Sequence, residues 1–281
     1  MNAKAKTHVK AEKKANTKAK IKIKQKHNLK WWRNTAAKGA IYFVLICVGF
    51  VYLEPIFEMI AKTFMSSADI IDPSVTWIPK NLSLNNLQVA GTVLKVGPTL
   101  RNTILWSGGM ALAQTLVSAL TGYALSRYEF KFKKFWFVMI VLAFIIPTPV
   151  TMIPRLMMFV SVQDATALQL IGTAIPQTSM ALLGQGVYST VLILIFYTAF
   201  NMIPRVLDEA AQIDGASSLK IFWFIVVKMS ATTLLVVFLF SFVWNWNETY
   251  VTGTLLRGNI ELLPSKLNMF NSEFSTMVSA Q

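Results

Sequence analysis

Pro204-Arg-Val-Leu-Asp-Glu-Ala-Ala-Gln-Ile-Asp-Gly-Ala-Ser-Ser-Leu-Lys-Ile-Phe-Trp-Phe224 is a polar stretch set between two apolar runs, Val187 to about Ile203 and about Ala231 to Gly253. Pro204 closes the first run, because proline lacks the N–H a helix needs. Asp208, Glu209, Ala210 and Ala211 suit a short helix, with the acids early, where the helix dipole favours negative charge. Gly215 suits the stop and turn that follow. Ala216 and Ser217 can start a second helix, and Leu219, Phe222 and Phe224 lead back to apolar sequence. Residues 204–230 thus read as a short amphipathic helix displayed between two spans. Paired Ala residues beside an acid suit docking into a groove on another protein. An ordinary solvated loop with helical character accounts for the same residues.

A bilayer core about 30 Å thick takes roughly 20 apolar helical residues. Three further runs approach that length: Ile41 to about Phe64, about Asn102 to Leu125, and about Phe135 to Ile153. The first opens on unbroken apolar sequence, Ile41 to Leu53. A cleaved signal peptide is the rival reading, but the preceding basic region is long and no A-x-A-like site follows. Gly108, Gly109 and Gly122 in the second run allow close helix approach in lipid. Pro147, Pro149 and Pro154 should kink or terminate the third. After Gly253 no comparable run remains. The expectation is an all-α, polytopic bundle of about five spans.

Composition agrees. Of 281 residues, 54% are hydrophobic and 14% charged, with a mean hydropathy of +0.50. A soluble protein is about 25% charged. The net charge is nonetheless +14. It sits in residues 1–39, where twelve Lys and Arg33 face a single acid, Glu12. The tail reads as a disordered cytoplasmic arm against anionic membrane lipid. It has no aromatic residue before Trp31 and Trp32, which argues against nucleic acid. Residues 40–281 form a nearly neutral membrane body. Basic residues mark the cytoplasmic side, so the N-terminus lies inside, together with Arg127–Lys134 and 204–230. Residues 65–98 and 155–186 then fall outside. In the body alone the basic residues divide evenly, so the tail decides the orientation.

Soluble chemistry is a poor fit. Cys47 is the single cysteine, and His8 and His27 both lie in the tail. The body therefore offers no disulfide framework, His metal site or His general base. No G-x-x-x-x-G-K-[ST] run provides an ATP site. No catalytic residue, metal or cofactor is expected, and the chain is not expected to be an enzyme.

Glu209-Ala210-Ala211, three residues, Gly215, nine residues, then Ile225 resembles the EAA loop of ABC importer permeases. The longer form, from Ile203-Pro204 through Asp208 to Ile213-Asp214-Gly215-Ala216-Ser217, looks like the carbohydrate-uptake branch. Trp77-Ile-Pro-Lys-Asn-Leu-Ser-Leu-Asn-Asn-Leu87 resembles that branch's first outside loop. Asn102-Thr103, Tyr123-Ala-Leu-Ser-Arg127, Ile146-Pro147 and Trp244-Asn245-Trp246-Asn247 resemble its later motifs. The resemblance covers about residues 41–275.

This resemblance implies a type I ABC importer permease in a bacterial plasma (inner) membrane. Glu209, Ala210, Ala211, Asp214 and Gly215 would couple it to a pair of ATPase subunits, which hydrolyse the ATP. A second, non-identical permease subunit would complete the pore, and an extracytoplasmic solute-binding protein would deliver carbohydrate. Two features depart from the pattern. The family motif ends Ile-x-Leu-Pro, whereas this chain reads Ile225-Val226-Val227-Lys228, without the proline that would set the start of span five. The family also has a final span, which is missing here, so the chain reads as a fragment ending at Gln281.

Trp244, Asn245, Trp246 and Asn247 are candidate substrate contacts, since aromatic faces stack on sugar rings and amides bond hydroxyls. An interfacial aromatic belt accounts for the tryptophans equally. Glu54 and Glu58 share a helix face, and an intramembrane acid is a functional candidate. Lys62 is placed to pair with Glu58 near a wet interface, which is the plainer reading. Arg127 and Lys131–Lys134 read as interface anchors. Residues 254–270 occupy the position of a loop reaching the solute-binding protein, or are simply surface. The remaining alternatives are the same architecture importing a non-sugar solute, and a membrane scaffold presenting the basic tail.

Overall fold

The computed structural model describes residues 35–279, with side chains through Thr276. The basic tail, 1–39 by sequence, lies almost wholly outside the described residues. Among the described residues the chain is helical, apart from one isolated bridge between Met65 and Leu82. It divides into two units at Gln88 and Val89.

The first unit is built on α1, Thr35–Thr63, among the described residues one of two helices long and apolar enough to cross a bilayer alone. Its large apolar side chains, from Ile41 to Ile60, are exposed. Glu58 and Lys62 pair at 2.6 Å across one turn, with both side chains about half exposed. That agrees with the wet, self-satisfied reading of this acid. The segment after α1 is tied back locally. Asn86 donates to the carbonyls of Lys62 and Met65 at 3.1 and 2.9 Å. Ser66 caps α2 (Ser67–Ile71), and buried Asp69 accepts from Asn81 N–H at 2.8 Å. Trp77, in the loop resembling the family's, lies against Phe50 and Phe57. Helix α3, Asn85–Leu94, contains the boundary between the units.

The second unit centres on α4, Val96–Arg127, the other helix long and apolar enough to span alone. At 1.5 Å per residue its 32 residues extend about 48 Å, more than the bilayer core requires. Its buried face consists largely of small and polar residues, among them Thr99, Thr103, Ser107, Ala111, Gln114, Ser118, Ala119 and Gly122. Such a face lets partner helices come close. At Gly122 a Cβ would sit 2.6 Å from the Cβ of Phe196 and 3.0 Å from Tyr197 N, so the contact tolerates glycine only. Gly108 and Gly109 have no such neighbour. Of the three glycines singled out by sequence, one does the packing.

Three bent pairs raise the possible spans to five. Helix α5 (Lys133–Ile145) meets α6 (Thr148–Thr166) at 106°. Pro147 makes that corner; Pro149 and Pro154 lie inside α6 rather than ending anything. Helix α7 is Ile175–Leu182. Helix α8 (Ser189–Asn201) bends by 76° into α9 (Val206–Ile213). Helix α10 (Ser218–Met229) bends by 84° into α11 (Ala231–Asn247). The expected fifth span stops at Asn247; Gly253 belongs to a separate helix, α12 (Tyr250–Leu256).

The last segment, too polar to read as a span, is nonetheless helical: α13, Leu263–Ser279. The start of α13 is bonded to α4. Thr103 Oγ1 accepts from Leu263 N–H at 2.8 Å, and Asn102 donates to Glu261 O at 3.3 Å. The Asn102-Thr103 pair noticed in the sequence makes this attachment. Phe196, Phe200, Leu192, Ile221, Phe222, Val226 and Val237 complete the main core against Ala119 and Tyr123.

Candidate functional site

The 204–230 segment folds from its own residues. Helix α9 begins after Pro204 with Asp208 and Glu209 in its first turn. It ends at Gly215, whose φ of +80° suits a residue without a Cβ. Gly215 N–H donates to Gln212 O at 3.0 Å and Ala216 N–H to Ala211 O at 2.9 Å, closing the end of the helix. Ser217 stands at the N-cap of α10.

The two faces of α9 differ. Val206, Glu209, Ala210 and Ile213 recur at helical spacing and are exposed, Ile213 at 87%. Asp214 and Gly215 are exposed beyond them, and Leu219 continues the apolar surface at the start of α10. Ala211 is half-buried against the main core. Asp208 turns inward, and its Oδ2 lies 2.9 Å from Arg127 Nε. The two side chains are 10% and 5% exposed respectively. Burial pushes the Asp208 carboxyl pKa upward, against the pull of Arg127 and Arg205.

Arg127 is therefore no interface anchor. It lies at the last turn of α4, where a cation also favours the helix dipole, and it donates through Nη2 to Ile203 O at 3.1 Å. Arg205 reciprocates, donating to Ser126 O at 3.0 Å. The Tyr123 ring lies 5.2 Å from Phe222 and 6.4 Å from Phe200. The Tyr123-Ala-Leu-Ser-Arg127 motif is thus the seat of the 204–230 segment, holding its start, its first helix and the beginning of its return. The sequence carried the motif but not its partner, because 81 positions separate Arg127 from Asp208. The lysines nearby remain local: Lys133 pairs with Glu129 at 2.8 Å.

The return to the membrane is also resolved. With no proline at position 228, a turn of π-helix forms at Phe222–Val226, closed by Val227 N–H to Phe222 O. The chain then breaks at Ser230, whose N–H is shared between Val226 O and Val227 O at 3.0 and 3.2 Å. The corner before α11 is thus made without a proline.

Trp244, Asn245, Trp246 and Asn247 occupy the last turn of α11. Asn245 is 2% exposed and donates to Gln114 Oε1 at 3.1 Å and to Ser241 O at 2.8 Å. Ser241 donates to the same Gln114 oxygen at 2.7 Å. This amide therefore bonds α11 to α4. Trp244 is half-buried, 4.9 Å from the Tyr188 ring and 5.6 Å from Phe240. Trp246 packs on Phe242, and exposed Asn247 bonds back to Val243 O. In the 254–270 segment, Asn259 donates to Gly172 O at 2.8 Å, and Glu261 pairs with Lys95 and Lys266 at 3.1 Å each. No cluster of His, Cys, Asp or Glu able to hold a metal occurs among the described residues.

A bent-helix membrane bundle that displays a short helix on a buried ion pair is the architecture of a transport permease. The chain belongs to the family of binding-protein-dependent transport system inner membrane components, whose model matches residues 114–280. The permease AmyC of Thermoanaerobacterium thermosulfurigenes, named for a starch degradation products transport system, is 24% identical over 85% of this chain and 83% of its own length. The melibiose/raffinose/stachyose import permease MelC of Bacillus subtilis is 29% identical over 73% of this chain and 70% of its own. Among solved structures, a chain of a bacterial ABC transporter that imports the acidic polysaccharide alginate superposes with a TM-score of 0.67. That match covers 86% of this chain and 85% of the other, at 20% identity.

Proposed function

We propose that this permease forms half of the translocation pathway of an ATP-driven sugar importer, and that residues 204–230 couple it to the ATPase. The observation that carries the coupling is the two-faced α9. One face is fixed to α4 through Asp208 and Arg127, while Val206, Glu209, Ala210 and Ile213 stand free. An exposed apolar strip beside an acid on a rigidly held helix is a surface for a partner protein. That partner is one ATPase of a pair. Glu209 meets a basic group in its groove, and Gly215 lets the chain turn away behind the docked helix. Closure of the ATPases then moves α9 as a lever, and the spans pass between inward- and outward-facing states. A second permease subunit completes the pore.

The names of the relatives support carbohydrate as the solute, delivered from outside by a solute-binding protein. The N-terminus and 204–230 lie in the cytoplasm, and the basic tail rests on anionic lipid. The test is Glu209→Lys in the reconstituted importer. Uptake and solute-stimulated ATP hydrolysis are expected to part company while membrane insertion stays normal. Uptake and stimulation both at wild-type levels would reject the coupling role.

A further inference from the structure

Helix α10 meets α11 at 84°. The 17 residues of α11 extend about 26 Å, most of the depth of a bilayer core. A helix set at nearly a right angle to such a span runs along the membrane surface rather than through it. The halves of α10 suit that position. Ile221, Phe222 and Val226 are buried in the main core. Leu219, Trp223 and Phe224 are exposed on the other half, with Lys220 and Lys228 beside them.

The two lysines are uncommitted. Neither forms an ion pair among the described residues. The Lys228 ammonium lies 5.1 Å from the centre of the exposed Phe224 ring. A cation held over an aromatic face keeps its charge, and an ammonium has three donors to offer a further partner. The arrangement recurs at the start of α5, where the Lys131 ammonium lies 5.5 Å from the centre of the exposed Phe132 ring. Lys131 also has no ion pair among the described residues. That turn follows Arg127, which is bonded to Ile203 and Asp208, so both lysine–aromatic pairs stand at one end of the bundle.

We infer that the exposed half of α10 is a docking surface for anionic phospholipid headgroups. Tryptophan settles at the headgroup level of a bilayer, and lysine stems reach from there to the phosphates. Lys228 lies two residues before Ser230, where the chain turns into α11, so it stands at the mouth of the span, at headgroup depth. Two ammonium groups without carboxylate partners select a net negative lipid over a zwitterionic one. The surface belongs to the membrane body and is separate from the basic tail. Its assignment to the cytoplasmic leaflet rests on the orientation proposed above; its chemistry does not.

The test uses the whole transporter in vesicles with the same lipid in both leaflets, so orientation does not enter. Fluorescence is quenched with brominated phosphatidylglycerol or brominated phosphatidylcholine at equal mole fractions. The chain has eight tryptophans, so the signal of Trp223 is taken as the difference between wild type and Trp223→Phe. Phosphatidylglycerol should quench it in preference, by about fivefold for each lysine. Lys220→Gln with Lys228→Gln should bring the ratio close to one, and about 1 M salt should lower it in the wild type. If the double variant fails to assemble, Lys228→Gln alone should lower the ratio about fivefold. A wild-type ratio near one overturns the anionic preference. A ratio unchanged by the lysine substitutions assigns the preference to the tail and overturns the surface. Quenching by neither lipid overturns it too, and its appearance on removal of the ATPase subunits would give this face to them. Sugar import and ATPase coupling are not part of the readout, so its failure leaves both standing.

Discussion

Arg127 Nε and Asp208 Oδ2 lie 2.9 Å apart with both side chains at least nine-tenths buried. The pair joins the end of the longest described helix to the first turn of α9. Removing one partner of such a pair strands the other, at a penalty of about 3–5 kcal/mol. Arg127→Leu and Asp208→Leu are each expected to lower the melting temperature of the purified permease sharply. The double variant should lose less than the two singles combined, as a double-mutant cycle reads directly. Additive losses would show that the pair is not an energetic unit.

Gly122 and Phe196 make a second discriminating pair. Gly122→Ala puts a methyl group 2.6 Å from the Phe196 Cβ and near the α8 backbone. Overpacking of this kind costs about 1–3 kcal/mol. Gly108→Ala, with no neighbour within 4 Å of the new atom, should stay within about 0.5 kcal/mol. Thermal unfolding in detergent of the two variants side by side checks the contrast; equal effects would mean that α4 and α8 are not in close contact there.

Gln114 supplies one oxygen to both Ser241 and Asn245. Gln114→Ala leaves two donors without that acceptor in a buried site. Hydrogen bonds between membrane helices average about 0.6 kcal/mol, so a loss on the order of 1 kcal/mol is expected. In Ser241→Ala the same replacement should cost less, since one of the donors is already gone. A Gln114→Ala protein as stable as wild type would place the α4–α11 contact in its apolar residues alone.

Glu261 holds Lys95 and Lys266, and Lys266 also pairs with Glu273 at 2.8 Å. Hydrogen bonds from Lys95 and then Lys266 draw the Glu261 pKa down, while Glu273 chiefly draws that of Lys266 up. A depressed carboxylate contributes stability above its unfolded value, about 4.3, and loses it as pH falls through the lower folded value. A raised lysine contributes below about 10.4 and loses its share as pH rises through the higher folded value. Glu261→Gln should therefore melt below wild type at neutral pH, and the gap should close in acid. A gap that widens as pH falls would contradict this attachment of α13.

The apolar runs were long enough to be read as spans because lipid imposes a length and excludes charge. Their corners were harder. Pro147 announced one, but Ser230 has no distinctive neighbour, and the π turn before it depends on packing of Ile221, Phe222 and Val226 that no local pattern encodes. Helix α13 escaped because it is too polar to count as a span. In residues 204–230, Gly215 and the early acids were legible because turns and dipoles are local. The inward turn of Asp208 was not, since its partner lies on another helix. Arg127 looked like an anchor for the same reason: a basic residue at a span's end has one meaning in water and another beside a buried carboxylate.

The corner at Ser230 differs in kind from one made by proline. A proline ring blocks the backbone hydrogen bond permanently, so its bend is a fixed elbow. Ser230 keeps its N–H, already divided between two carbonyls. Straightening or deepening the corner exchanges one acceptor for the other and leaves the Ser230 N–H paired. The joint between residues 204–230 and α11 is thereby compliant, able to take up a change of angle that a proline elbow would pass on undiminished.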